Sequence, residues 1–209
     1  TKKQDEFIKK TLEGLDTKNL ADLSARALKV REAIKKGKFP KDLEEAIVSE
    51  YKKLEEDVST RLGAGRGANV DVAVRSSATA EDLPGASFAG EQETYLGIRG
   101  AKQLLIATTA TMASLFTARA ISYRTDKGFD HTKIALSVGV EIMVHSGEGA
   151  SGVMFTLDTE SGFKDSIVIN GSWGLGEMIV QGQVSPDEYL VAKQLLGKAP
   201  KPIIFKKLG

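Results

Sequence analysis

The pattern of apolar and polar positions changes character near Leu62. Up to about that residue, apolar side chains recur at helical spacing among lysines and glutamates. Leu20, Leu23, Ala27, Val30 and Ile34 form one stripe, and Leu43, Ile47, Tyr51 and Leu54 form a second. This predicts a helical hairpin or bundle. The first of these helices is capped by Thr17 or Asn19 and stopped at Gly37, and the second carries Pro40 in its first turn. Glu44, Glu45, Lys52 and Lys53 fall on the far side of the second helix and read as its solvated face. Gly63, Gly65 and Gly67 then mark a flexible join, dividing a helical segment at 1–62 from an α+β region at 63–209.

Past the join, the alternation from Asn69 to Val74 predicts a half-buried strand, with Arg75 where the strand ends. A long amphipathic stretch from about Ala101 to Lys127 predicts one helix that buries Leu104, Leu105, Met112, Leu115, Phe116 and Tyr123. Further strands are expected at 134–144, 152–158, 166–170 and 203–207. Together these elements specify an α+β fold with a mainly antiparallel sheet.

Composition narrows the range of functions. The chain has 209 residues, 41% hydrophobic and 27% charged, the balance of an ordered globular domain. A net charge of +1 argues against a nucleic-acid partner. The absence of cysteine excludes disulfides, thiol nucleophiles and cysteine-ligated metals. The chain opens on Lys2, Lys3, Asp5 and Glu6, and no apolar run approaches a membrane span, so no membrane partner is expected and the cytoplasm is the expected location.

Candidate chemistry concentrates between Val74 and Tyr95, in VRSSATAEDLPGASFAGEQETY. Arg75 offers a rigid fork of donors that matches phosphate oxygens, and Ser76, Ser77, Thr79 and Ser87 add neutral donors. Gly85 and Gly90 allow the backbone close to a ligand. On residue chemistry alone the segment fits a phosphate-binding loop or a solvated surface loop. His131 and His145 read as surface or turn histidines, and Asp158, Glu160 and Asp165 as turn formers. Trp173-Gly174-Leu175-Gly176-Glu177 reads as a tight turn, with Glu177 a weak magnesium candidate because one carboxylate seldom suffices.

This segment resembles the nucleotide-binding region of the phosphoenolpyruvate synthases (pyruvate, water dikinases), relatives of pyruvate phosphate dikinase and rifampin phosphotransferase. The resemblance continues through Arg119-Ala120-Ile121-Ser122-Tyr123-Arg124, then from Gly152 to Phe163, and then from Ser172 to Gly182. It implies a partial ATP-grasp nucleotide-binding fold, in which two α+β subdomains hold ATP. Arg75 matches the arginine that contacts the phosphates, Gly90 and Thr94 match positions lining the phosphate site, and Glu141, Ile142, Met143 and Val144 match the backbone connector bordering adenine. Of Arg119 and Arg124, one is expected to face the phosphates and the other to cap a helix end. Glu91 and Glu141 stand where the family has glutamine.

The family's phosphate-binding lysine, its phosphohistidine carrier and its magnesium ligands have no counterpart here. The resemblance therefore implies a fragment, inactive alone, of an enzyme that uses ATP and Mg2+. Through a phosphohistidine, that enzyme converts ATP, pyruvate and water to phosphoenolpyruvate, AMP and phosphate. Asp158 to Phe163 and Pro186 to Tyr189 look more like the synthases than like rifampin phosphotransferase. A natural non-catalytic nucleotide-binding module is the other reading. Apolar surface exposed in a fragment leaves homo-oligomer formation open.

Overall fold

The computed structural model describes residues 2–62, 69–78, 82–83, 86–87 and 93–209. The join at Gly63, Gly65 and Gly67, and the positions Thr79, Gly85, Gly90 and Glu91, lie outside the described residues. The chain forms two compact units, Thr1–Met143 and Val144–Gly209, so its contacts divide at Met143 and not at the glycine-rich join.

The first unit begins with three helices, α1 (Lys2–Leu12), α2 (Leu20–Lys35) and α3 (Lys41–Leu62). Asn19 is the cap of α2, its side-chain oxygen accepting from the Asp22 amide at 3.2 Å. Arg26 of α2 donates to the Thr11 and Glu13 carbonyls at the end of α1, closing the turn between them. Of the expected first stripe, Leu23, Ala27 and Val30 are buried while Leu20 is exposed, because Leu20 precedes the turn of α2 that meets α1. Pro40 sits one residue ahead of α3, and its carbonyl accepts from the Glu44 amide at 2.9 Å.

A three-stranded antiparallel sheet follows, in the order β4 (Tyr95–Arg99), β1 (Asp71–Ala78), β5 (Leu136–Ile142). A two-stranded ribbon of β2 (Asp82–Leu83) and β3 (Ala86–Ser87) lies in sequence between β1 and β4. Val72 and Val74 are fully buried against Tyr51, Val58, Leu104 and Ala107. The Tyr51 hydroxyl donates to the Val70 carbonyl at 2.6 Å and accepts from the Gly100 amide at 3.0 Å, tying α3 to the sheet.

The expected single helix over 101–127 is two helices, α4 (Ala101–Ser114) and α5 (Ala118–Asp126). The last turn of α4 tightens, with the Phe116 amide bonded to Ala113 and the Thr117 amide to Ser114. Thr117 is then extended, at φ −62° and ψ 153°, and its hydroxyl accepts from the Ala120 amide as a new N-cap. The break redirects the apolar face: Leu104 and Ala107 pack under the sheet, whereas Leu115, Phe116 and Ile121 join Ile8, Leu12, Leu23 and Val30 in a separate helical core. By length and composition, 101–126 is apolar enough to cross a membrane, but Leu104, Ala107, Leu115, Phe116 and Ile121 are buried in the two cores.

The second unit is a four-stranded antiparallel sheet, β6 (Ala150–Phe155), β7 (Ser166–Trp173), β8 (Asp187–Ala192) and β9 (Ile203–Lys207), with a short helix α6 (Glu177–Val180) after β7. The antiparallel expectation holds, but for several sheets and not one. Register places Phe155, Val168, Leu190 and Phe205 on one face and Met154, Ile169 and Tyr189 on the other. Both faces are therefore apolar, and Met154, Phe155, Ile203, Ile204 and Phe205 are exposed. Asp158 forms the expected turn, accepting from the Glu160 amide at 3.0 Å and from the Ser161 hydroxyl.

Candidate functional site

The sheet β4-β1-β5 has one face in the core and one turned outward, and β1 does not stop at Arg75. Ser76, Ser77 and Ala78 continue the ladder with Val138, Ser137 and Leu136, so Arg75 stands mid-strand, opposite Gly139. This corrects the expectation of a strand end. The residues after Arg75 keep a full set of pairing partners on β5, and the small Ser-Ser-Ala run fits between them.

Residues two apart share a face, so Arg75 lies with Ser77, Ser137, Gly139 and Glu141 on the outward side. The Arg75 Nη1 is 3.3 Å from the Glu141 carboxylate, a diagonal cross-strand pair with both side chains more than half exposed. Gly139 puts no side chain beside the guanidinium. A Cβ there would meet nothing closer than the Arg75 carbonyl at 3.9 Å, so crowding does not force this glycine, and its bareness leaves open space. On the other edge Val74 pairs with Tyr95, and the exposed Thr94 immediately precedes that strand. Arg75, Gly139 and Glu141 thus form a row across the outward face, with a second charged pair, Arg99 and Asp71 at 3.4 Å, further along it.

The expected connector continues from this row. Glu141 and Ile142 end β5 and are exposed, and the Met143 amide donates to the Asp71 carbonyl at 3.0 Å. The Met143 N–H is therefore engaged, leaving its carbonyl and side chain for a ligand. Val144 is strongly exposed and begins the second unit.

Arg119 and Arg124 lie on α5 and not on the sheet. Arg119 is exposed in the first helical turn, where the helix dipole disfavours a cation, so helix electrostatics do not account for it. Arg124 is in the last turn but has no exposed surface. Its Nε donates to His131 Nδ1 at 3.1 Å, its guanidinium lies 5.3 Å from the centre of the Phe116 ring, and Nη1 and Nη2 have no partner among the described residues. Burial pulls its pKa down to about 10, which leaves it charged at neutral pH. His131 thus lies in the expected turn but is half-buried beside Arg124 and not at the plain surface. Accepting at Nδ1 places its proton on Nε2, and burial, reinforced by the Arg124 charge, lowers its pKa.

A histidine with a lowered folded pKa binds fewer protons folded than unfolded. Its contribution to stability is complete above the ordinary histidine value of about 6.5 and is lost as pH falls below it. The urea midpoint is expected to drop between pH 7.5 and pH 5.5 in the wild type. His131→Asn, which keeps an acceptor but does not titrate, should flatten that drop, and an equal drop in both proteins would rule His131 out as its source.

Glu177 opens α6, and its carboxylate accepts from the Gln181 side chain at 2.7 Å. Among the described residues no three His, Asp or Glu side chains converge on a point, so these side chains build no divalent-cation site.

An exposed arginine beside a hydroxyl, over open space on a sheet face, suits a phosphate-bearing ligand, and comparison with known proteins supplies the class. The chain belongs to the pyruvate phosphate dikinase AMP/ATP-binding domain family, which it matches over residues 1–208. More narrowly, it is similar to the phosphoenolpyruvate synthase of Aquifex aeolicus, with 59% identity over 97% of this chain and 23% of that protein. The phosphoenolpyruvate synthase of Helicobacter pylori is 48% identical over 95% of this chain and 24% of its own length. A probable phosphoenolpyruvate synthase of Methanocaldococcus jannaschii is 44% identical over 96% of this chain and 16% of its own. The chain therefore spans about a quarter or less of the curated relatives it matches.

Of the expected site residues the structure brings Arg75 and Glu141 together, and sequence reasoning missed the strands β4 and β8. Gly97, at φ 65° beside the register shift in β4, interrupts the alternation that would have revealed that strand. The Tyr189-Leu190-Val191 run was the available signal for β8.

Proposed function

We propose that this chain supplies the ATP-binding part of a phosphoenolpyruvate synthase, in an ATP-grasp arrangement. The enzyme would convert ATP, pyruvate and water to phosphoenolpyruvate, AMP and phosphate through a phosphohistidine. The observation that carries the reading is the 59% identity to a phosphoenolpyruvate synthase over 97% of the chain. The outward row around Arg75 gives it a physical basis. In this reading the phosphohistidine carrier and the pyruvate site belong to segments other than these residues, and the location is cytoplasmic.

Phosphoryl transfer depends chiefly on positioning and on neutralising charge. Arg75 would hold phosphate oxygens bidentately and Thr94 would add a neutral donor. Ile142, Met143 and Val144 would border the adenine, and Arg119, the exposed member of its pair, is the better candidate for a further phosphate contact. Mg2+ would serve the nucleotide in the intact enzyme, held by groups other than the described carboxylates, which do not converge. The test is product analysis of the full-length protein. Pyruvate-dependent formation of phosphoenolpyruvate, AMP and phosphate in equal amounts supports the reading. A requirement for added phosphate with release of pyrophosphate, or phosphorylation of rifampin in place of pyruvate, assigns the chain to another branch.

Glu141 holds a negative charge beside the arginine that would meet the phosphates. An exposed pair of this kind is worth ~0.2–1 kcal/mol. Glu141→Gln is therefore expected to tighten ATP binding by up to about fivefold, as read by calorimetry. Weakened binding would show that the carboxylate itself contacts the ligand favourably.

A further inference from the structure

Thr94 is exposed between two half-buried neighbours, Glu93 and Tyr95, as the two-residue period of an extended segment requires. Both neighbours are gripped from behind the sheet. The Arg31 Nη2 on α2, 62 residues away in sequence, is 2.9 Å from Glu93 Oε1, and the Tyr95 hydroxyl donates to Glu93 Oε2. Each carboxylate oxygen is thereby engaged, and the residues on either side of Thr94 are tied to one another and to a helix of the core. Burial and the neighbouring Glu93 carboxylate push the Tyr95 pKa up to about 12, which keeps its hydroxyl a donor at any working pH. The Arg31 Nε is buried with no partner among the described residues, so the hold on Glu93 runs through Nη2.

We infer that Arg31 is a positioning residue for the nucleotide site, acting through Glu93 to fix the backbone at Thr94, which immediately precedes the strand paired with that of Arg75. The inference rests on the reading of Arg75 and Thr94 as phosphate-facing residues. It assigns the far side of the sheet a part in ligand affinity, because α2 touches the ligand nowhere in this scheme. A misplacement of about an ångström in a positioned group is enough to weaken a phosphate contact severely.

The experiment compares ATP with adenosine, which lacks the phosphates, as ligands of the full-length protein. Arg31→Met, which keeps the apolar stem but cannot hold Glu93, and Glu93→Gln are each expected to weaken ATP by about tenfold while leaving adenosine unchanged. Arg31→Lys should recover most of the loss. Tyr95→Phe, which removes one hydroxyl and keeps the ring, reads the same quantity at smaller amplitude if Arg31→Met does not fold. Parallel weakening of ATP and adenosine overturns the inference, since general loosening would explain it. Unchanged ATP affinity in these variants, with a loss in Arg75→Ala, overturns the inference alone. Unchanged affinity in Arg75→Ala as well overturns the reading of the site, and the inference with it.

Discussion

Arg75→Ala is expected to weaken ATP binding by roughly ten- to a hundredfold, since hydrogen bonds to a charged group contribute about 1.5–3 kcal/mol and each 1.4 kcal/mol is a factor of ten. Calorimetric titration with ATP and magnesium, run beside the wild type, reads this directly. The side chain is 57% exposed and, among the described residues, pairs with Glu141 at 3.3 Å, so its removal opens no cavity in the core. The thermal midpoint should accordingly stay within a degree or so of wild type, as surface substitutions usually do. Loss of affinity without loss of stability is the signature of a ligand contact. Equal affinity in both proteins would remove Arg75 from the site and leave the outward row as surface decoration.

Gly152→Ala should be the most damaging glycine-to-alanine change within the strands of the second unit. A Cβ at Gly152 would lie 2.2 Å from the Asn170 carbonyl oxygen and 3.1 Å from both the Asn170 carbonyl carbon and Gly171 Cα. All three are backbone atoms of the paired strand β7, so no rotamer relieves the clash. Strand β6 must draw away from β7, and pairing between 150–155 and 168–173 is lost with it. A cost of about 3 kcal/mol or more follows, at the upper end of overpacking effects. Circular dichroism of the strand signal during urea unfolding reads the change, since Trp173, the single tryptophan, is already exposed in the folded chain. Gly147→Ala is the control, because a Cβ there meets nothing within 4 Å. Equal midpoints for the two variants would mean that the sheet absorbs the methyl by a shift of the backbone.

What the sequence revealed of this fold follows from where local signals and tertiary context agree. The helical stripes at Leu23, Ala27, Val30 and Tyr51 were legible because their spacing matches the face they bury. The break at Thr117 was not, because Leu115 and Phe116 continue the apolar run and only the turn of the backbone sends them to a different core. Arg75 and Glu141 were named through a family resemblance, whereas their pairing on one sheet face needed the register of β1 with β5. Arg124 looked from the sequence like a phosphate ligand or a helix cap. Its burial against Phe116 and His131 depends on contacts that no local pattern reports.

The divided segment α4–α5 also bears on how the first unit comes apart. One end of it is embedded under the sheet and the other among the helices, so neither core can open without pulling at the same short connection. Melting of the first unit should therefore be a single cooperative event and not a stepwise fraying from α1. A lesion in the helical layer, far from Arg75, would be felt as a lower population of the folded strand that carries it.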